Sequence, residues 1–443
     1  MISIVFCWVY APPDRDNRFI SCLLSAKTSM SAIRVAFDDR TYVLEDVLEN
    51  GARYVRQLER ARKTPGWAEC QCAQHDTPLR LVIRRYGSMY HLAGWPDDGH
   101  RHAKATPTAK ACPFYKDGSA VTTKAAPADA AIRKTAAGLN TRLDVVFAPA
   151  STAAGPVKPT TPDAAGERKS RQTASLLAFL QSLWSEASLN VWPAGGGTRN
   201  WGFCSTALVE AIGDGPINGQ QADRVLHVMR RFEADQSKAI NDELDQFIAA
   251  LAPVGEAAPS RRALVLGEIN EIGPSKYGHT ITLRQSRRRY YTDNRLLDKV
   301  AASYRFAYAA IGEKQARVVT LMLVELKNGY ARVVDACLML CSATFLPCDS
   351  SFEVAMANRL TREGRAFEKP LSPNADGILP DFVLTDTPQA VEIEVYGLNG
   401  LAEYEKRKRE KQAMRAKKGV DSVEWNTDRE PLDAVVFPST HAR

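Results

Sequence analysis

Two sets of residues in this chain have the types and spacing that chemistry requires. The first is Cys70-Gln71-Cys72, followed by His100-Arg101-His102 and then Cys112-Pro113-Phe114-Tyr115. Thiolates two residues apart grip one Zn2+ from a tight turn, and a His with a third Cys completes a tetrahedron. Cys70, Cys72, His102 and Cys112 are therefore the expected ligands of a structural zinc. His100 is the substitute for His102, His75 and His91 are spare donors, and reduced, unliganded cysteines are the competing reading. The second set lies near the C-terminus: Pro380-Asp381, then Glu392-Ile393-Glu394, then Tyr404 and the run Lys406-Arg407-Lys408-Arg409-Glu410-Lys411. Carboxylates flanked by Lys and Arg are what divalent-metal-dependent cleavage of a phosphodiester needs.

The elements that would position the second set are two short β-runs and a helix. A strand has period two, so Glu392 and Glu394 share a face while Ile393 and Val395 turn to the core. If the run at Asp381 pairs with it across Thr385-Asp386-Thr387-Pro388, Asp381 and Glu392 meet at one point, a minimal Mg2+ or Mn2+ site. Tyr404, Lys408 and Lys411, at i, i+4 and i+7, share a face of the helix that follows, with Arg407 beside it. A Lys near the attacked phosphate stabilises developing charge, and Lys408 is the first choice for that role, with Lys411 next. Arg407, Arg409 and Arg415 would track the nucleic-acid backbone. Ordinary surface carboxylates and a solvated basic face are the plainer alternatives. A further basic aromatic run, Arg284-Gln285-Ser286-Arg287-Arg288-Arg289-Tyr290-Tyr291, offers Arg287, Arg288 and Arg289 to phosphate and a Tyr for stacking on a base, or else forms a solvated loop.

At 443 residues the chain is too long for one ordinary core. Its formal charge of +7 permits a polyanionic partner without demanding one. The excess is local: Leu401 to Val420 carries eight Lys or Arg against three Glu. No stretch approaches the ~20 apolar residues that span a bilayer. Nine Cys at uneven spacing and a start without a basic region before its apolar run fit a reducing cytoplasm. Glycines 195–197 lack the Gly-Lys-Ser/Thr of a phosphate-binding ATPase loop.

The expected architecture is multidomain, α+β and α/β. Residues 1–30 are expected to be poorly organised, and 31–115 a small zinc-ribbon-like α+β domain with a helix over Asp46–Arg62 and a hairpin of Leu79–Ile83 with Met89–Ala93. The Ala/Pro/Thr-rich 116–172 is expected to be a flexible linker with at most a short strand at Leu143–Phe147. Residues 173–255 are expected to be helical, as a plain helical packing domain or a helix-turn-helix-like module, with helices at Ala174–Trp184, Ser205–Ile212 and Ala222–Phe232. A mixed α/β domain at 256–348 is expected to hold a strand at Ala263–Ile269, a helix at Asp293–Ala310 and a hairpin around Lys327-Asn328-Gly329. Residues 349–443 are expected to form a restriction-endonuclease-like α/β domain.

That last arrangement resembles the PD-(D/E)xK nuclease superfamily, whose core is a helix, a hairpin with the first acid, a strand with the second acid and a lysine, then a helix. Here those elements resemble Phe352–Thr361, Phe367–Leu371 with Pro380–Leu384, Ala390–Tyr396 and Ala402–Lys417. Pro380-Asp381 is similar to the first signature and Glu392-Ile393-Glu394 to the second, with Glu394 where the lysine normally stands. Glu353 resembles an acid that many members place near the metal, and Lys408 or Lys411 would imitate members whose lysine has moved to the helix. The whole chain also resembles an uncharacterised bacterial DUF1173-like family found on integrative conjugative elements. The first resemblance implies a Mg2+- or Mn2+-dependent nuclease acting on DNA; the second implies only a context, mobile-element maintenance or defence, and no activity. An inactive nucleic-acid-binding or scaffolding protein with a degenerate nuclease fold, or a structural protein-interaction module, is the alternative.

Overall fold

The computed structural model describes residues 32–96, 98–106, 109–116, 130–147, 172–253, 261–373, 379–397 and 402–440. The expectations for 1–30 and for most of the 116–172 segment lie outside the described residues.

The N-terminal unit is an antiparallel sheet with two helices. Strands β1 (Arg34–Phe37) and β2 (Arg40–Val43) turn through Asp38 and Asp39, both at positive φ, the geometry of a tight two-residue hairpin. Helices α1 (Leu44–Glu49) and α2 (Val55–Lys63) follow, so the long expected helix is broken at Asn50. Strands β3 (Trp67–Cys70), β4 (Leu79–Tyr86) and β5 (Met89–Gly94) complete the order β2-β1-β3-β4-β5. The unit has its own core, including Val35, Leu58, Leu81, Ile83 and Cys70.

Strands β6 (Ile132–Thr135) and β7 (Gly138–Thr141) form a hairpin inside the segment expected as linker. Leu143 contributes an isolated bridge to Ala174 rather than a strand. Helix α3 (Leu176–Glu186) is capped by Ser175, and α4 (Trp201–Ile212) by Asn200. Strand β8 (Val191–Trp192) lies between them. The helix expected over Ala222–Phe232 is only α5 (Ala222–Val225); Leu226–Val228 is strand β9, parallel to its neighbour. An apolar run this short reads equally as helix or strand, and the adjacent sheet decides. Helix α6 (Ser237–Ala249) follows.

Strands β10 (Arg262–Ser275), β11 (Gly278–Leu283) and β12 (Arg289–Thr292), helices α7 (Asn294–Ser303) and α8 (Arg305–Ala309), and strands β13 (Ala316–Lys327) and β14 (Tyr330–Ser342) build a closed ring. The hydrogen-bonded order runs β10-β11-β12-β14-β13 and back to β10. Every junction is antiparallel except β12 with β14. The long β10 makes closure possible: Arg262–Glu268 pair with β13, and after a bulge at Ile269/Glu271 the strand pairs with β11. At the bend, Gly267 has Leu283 Cδ1 only 2.8 Å from where a Cβ would stand. The β13–β14 turn holds Asn328 and Gly329 at positive φ, as the Asn-Gly pair predicts.

After β15 (Pro347–Cys348), the C-terminal elements are α9 (Ser351–Arg362), β16 (Phe367–Glu368), β17 (Phe382–Leu384), β18 (Val391–Tyr396), α10 (Ala402–Lys418) and β19 (Ser422–Asn426). The sheet order is β19-β18-β17-β16-β8, antiparallel except for β18 with β19, which α10 joins as a crossover. Thus the 173–255 segment lends one strand to this sheet and β9 to the ring. One hydrophobic core runs from Leu139 to Val435. Among the described residues no helix is long and apolar enough to cross a membrane.

Candidate metal centre and buried ion lattice

Cys70 closes β3, Cys72 lies two residues beyond, and a short 3-10 turn over Gly99–Arg101 delivers His102. The sulfurs of Cys70 and Cys112 are 3.7 Å apart, and His102 Nδ1 is 3.4 Å from Cys72 Sγ and 3.6 Å from Cys112 Sγ. Zinc bonds of about 2.3 Å to sulfur and about 2.0 Å to nitrogen imply tetrahedral edges of about 3.8 Å between sulfurs and about 3.5 Å from sulfur to nitrogen. The observed edges match. All four donor atoms lie within 4.8 Å of one another, and among the described residues this is the group of His, Cys, Asp and Glu side chains that converges so.

The side chains of the cluster share protons closely. Hydrogen bonds from Cys112 and Cys70 hold the Cys72 thiol far below the usual thiol range against the cost of burial, with His102 and the Ala103 amide helping. Burial opposes charge on His102, yet its bonds to Cys112 and Cys72 raise it to about 9. Without a metal, the Cys70 thiol is raised by its bonds to Cys112 and Cys72 and the His102 ring balances the Cys72 thiolate; a metal would take the place of these protons. The arrangement therefore has the capacity to bind a metal, through His102 rather than His100, which is exposed. Of the spare donors, His75 Nε2 donates to the Arg101 carbonyl at 2.7 Å, and His91 faces Glu210 with 3.8 Å between ring and carboxylate.

The C-terminal acids are also gathered, on other terms. Ser350 caps α9 by accepting from the Glu353 amide, and the Glu353 carboxylate reaches back to the Asp349 amide at 3.0 Å. The ammonium of Lys369, just past β16, is buried, 2.7 Å from Glu353 and 2.9 Å from Asp349. Asp381 enters β17 with Oδ2 accepting from the Val395 amide at 2.7 Å. On α10, Lys411 lies 3.1 Å from both oxygens of Glu394 and donates to the Leu379 carbonyl at 3.0 Å. Arg415 is buried across both glutamates of β18, with Nε 2.5 Å from Glu392 Oε2 and Nη2 bonded to Glu394.

Burial pushes the Asp381 carboxyl above its usual range; Lys369 pulls it down and Glu394 pushes it up again. Glu353 is likewise raised by burial, with Lys369 opposing and Asp381 and Asp349 reinforcing. Burial works against the charge of Lys369, but Glu353, Asp349 and Asp381 outweigh it and raise its pKa.

Glu392 and Glu394 do share a face, since one guanidinium spans them. The expected meeting of Asp381 with Glu392 is different in the structure. Register pairs Phe382 with Ile393 and Val383 with Glu392, so one step further sets Asp381 beside Glu394. Glu392 is one facial repeat away, roughly 6.8 Å along the strand. Lys408 stands 3.9 Å over the Tyr396 ring rather than on a carboxylate.

Of the residues expected to hold nucleic acid, Arg415 is interior and committed to Glu392 and Glu394. Arg288 pairs with Asp245 at 2.6 Å, while Arg287 and Arg289 are exposed. Arg409 is exposed, and the Arg407 and Tyr404 side chains lie outside the described residues. Tyr290 is in the core. Sequence reasoning did not single out Lys369 or Asp349; a lone Lys directly after a Phe-Glu β-run was the available signal.

The chain belongs to the family described as "Protein of unknown function (DUF1173)", which matches residues 43–428. No curated protein matches it.

Proposed function

We propose that this DUF1173-family protein is a metal-stabilised nucleic-acid-binding or scaffolding protein, with a structural zinc at Cys70, Cys72, His102 and Cys112 and a nuclease-like C-terminal unit that does no cleavage. The observation that carries this reading is the contrast in counter-ions. Three thiols and an imidazole converge with no Lys or Arg bonded to them among the described residues, whereas Glu353, Glu392 and Glu394 are bonded to Lys369, Lys411 and Arg415. A catalytic Mg2+ draws on carboxylate charge and oxygens, and Lys369, Lys411 and Arg415 already neutralise the glutamates that would supply them. The basic helix α10, with Lys406, Arg409 and Lys417 exposed, supports contact with a polyanion.

The test is a panel of plasmid, linear, branched and single-stranded DNA and of RNA, incubated with the full chain and Mg2+ or Mn2+. Intact substrates that are nonetheless retained by the protein at low salt are expected. Metal-dependent cleavage that disappears in Asp381→Ala would overturn the non-catalytic reading.

Such cleavage would establish a second reading, which has its own observation. The order α9-β16-β17-β18-α10-β19 resembles the PD-(D/E)xK core, and Asp381 and Glu394 adjoin at one sheet end beside Lys411. In that reading Asp381 and Glu394 hold the metal with help from Glu353 and Glu392, and Lys411 or Lys408 supplies the lysine. DNA in mobile-element maintenance or defence is its implied context.

A further inference from the structure

We infer that the closed ring β10-β11-β12-β14-β13 carries a binding face for single-stranded nucleic acid, clamped between Tyr277 and Tyr330. This deepens the reading above by naming the strandedness of the ligand, and it uses no residue of the C-terminal unit.

Aromatic rings in water are the first observation. Tyr277, at the tip of the β10–β11 turn, is 83% exposed, and Tyr330, opening β14 after the β13–β14 turn, is 60% exposed. Folding does not explain either exposure, because a turn of this length accepts polar residues more readily. Lys276 sits 5.0 Å over the Tyr277 ring, and Tyr330 meets Tyr291 edge-on at 5.4 Å. The turn bearing Tyr277 is held tightly: a Cβ on Gly278 would stand 2.3 Å from the Thr292 carbonyl oxygen.

The face between the two tyrosines is the second observation. Register aligns Thr280, Tyr291 and Arg332 in one row across three strands, with Thr282 beside Arg289 in the next. The alternate residues Ile281, Leu283, Tyr290 and Val333 are buried in the core, so the rows look outward. Because β11 runs against β12 while β14 runs with it, Tyr277 and Tyr330 lie beyond opposite ends of the first row. At ~3.3 Å per residue they stand roughly 10 Å and 7 Å from it. Stacking surfaces at the two margins and hydroxyls with an exposed Arg289 between them suit unpaired bases on a sugar-phosphate chain. Small closed five-stranded barrels bind oligonucleotides on the face of their second and third strands and the loops flanking it, which here are β11, β12 and these two turns.

Charge selects this face over its neighbour. An open groove of about 670 Å3 continues past Arg332, between α7 and β14. Its cations are matched internally: Lys299 with Asp335, Arg332 with Asp293, and Arg262 with Glu325. The face has the exposed acid Glu271 in the same row as Arg289, on the far side of Thr282, which directs the phosphates away from β10 toward Arg289 and Lys276.

The experiment measures fluorescence anisotropy of labelled oligothymidylate and oligouridylate of about 12 nucleotides, and of a duplex of equal length, with the full chain at low salt. Single strands are expected to bind more tightly than the duplex, and the thymidylate-to-uridylate ratio reports DNA against RNA. Tyr277→Ala and Tyr330→Ala should each weaken single-strand binding about 5- to 150-fold, the cost of one lost base stack. Tyr277→Phe and Tyr330→Phe should retain binding, because stacking needs the ring and not the hydroxyl. Equal affinity for duplex, or Ala variants that bind as the parent does, overturns the inference. Lys406→Glu with Lys417→Glu separates the two sites. Binding lost there and kept in the tyrosine variants overturns the barrel face and leaves the helix α10 reading standing. The reverse pattern supports the barrel face and removes the helix.

Discussion

The cysteine cluster and the C-terminal acid cluster are both gatherings of groups that repel one another, resolved in opposite ways. At Cys70, Cys72, His102 and Cys112 the donors converge to tetrahedral spacing with no Lys or Arg bonded to them among the described residues, so the centre is open to a metal ion. At Glu353, Asp381, Glu392 and Glu394 the chain supplies its own cations, Lys369, Lys411 and Arg415. Acidic residues in a suggestive order thus do not by themselves make a metal site. What distinguishes the two clusters is whether a Lys or Arg already occupies the centre.

The sharpest way to break this comparison is to remove a thiol. Cys70→Ser is expected to abolish binding of one zinc per chain and to unfold the N-terminal sheet, since structural zinc contributes on the order of 10 kcal/mol to small folds. Metal analysis of untagged protein together with far-UV circular dichroism checks it, and the C-terminal unit should keep its unfolding transition. Retained zinc in Cys70→Ser would make the two clusters alike. Removing an internal cation is the counterpart. Lys369→Met leaves Glu353 and Asp349 without their buried partner and should cost about 3–5 kcal/mol in urea unfolding, with part recovered in Lys369→Met/Glu353→Gln. If added Mn2+ restores the stability of Lys369→Met, the ammonium is standing where a metal can.

A smaller effect is expected from pH. Asp381 and Glu353 are raised in the folded state, which therefore holds more protons than the unfolded chain between the two pKa values. Their contribution is fully present below the unfolded value and is lost as pH rises through the folded one. Asp386 runs the other way: against burial, Arg365 and the Ala366 amide lower it, so its contribution is lost as pH falls through the folded value. Urea midpoints between pH 7 and 4 should show Asp381→Asn with a shallower gain on acidification than the parent. An unchanged profile would mean that Asp381 is solvated like an ordinary surface acid. The smallest effect belongs to α10, where Lys406→Ala and Lys417→Ala should each reduce the salt dependence of nucleic-acid binding by about one counter-ion.

Several elements were legible before any coordinates. The Asn328-Gly329 turn, the two β-runs at Asp381 and Glu392 and the basic helix behind them follow from local propensity and period, and the resemblance supplied the helix and strand before them. The candidate metal ligands were legible because a Cys-x-Cys pair must find two more soft donors, and few were within reach. Helix limits were less so: Asn50 and Tyr304 interrupt the helices expected over Asp46–Arg62 and Asp293–Ala310. Strands β6, β7 and β9 escaped notice because each is too short to show a period and gains its conformation from a neighbour. Arg415 looked like a ligand of phosphate because a charge run on a helix does not reveal which member faces inward.

What the sequence by itself determined, then, is the inventory: which residues can bind a metal, which segments alternate with period two, and where turns must fall. Tertiary structure alone decided the pairings. Strand register put Asp381 beside Glu394 instead of Glu392, helix phase turned Arg415 into the acids, and the bulge in β10 closed five strands into a ring with Tyr277 and Tyr330 at its margins. The reason is range. Propensity and period act over a few residues, whereas register, helix phase and ring closure are fixed by contacts among segments tens of residues apart, for which the linear order carries no local mark.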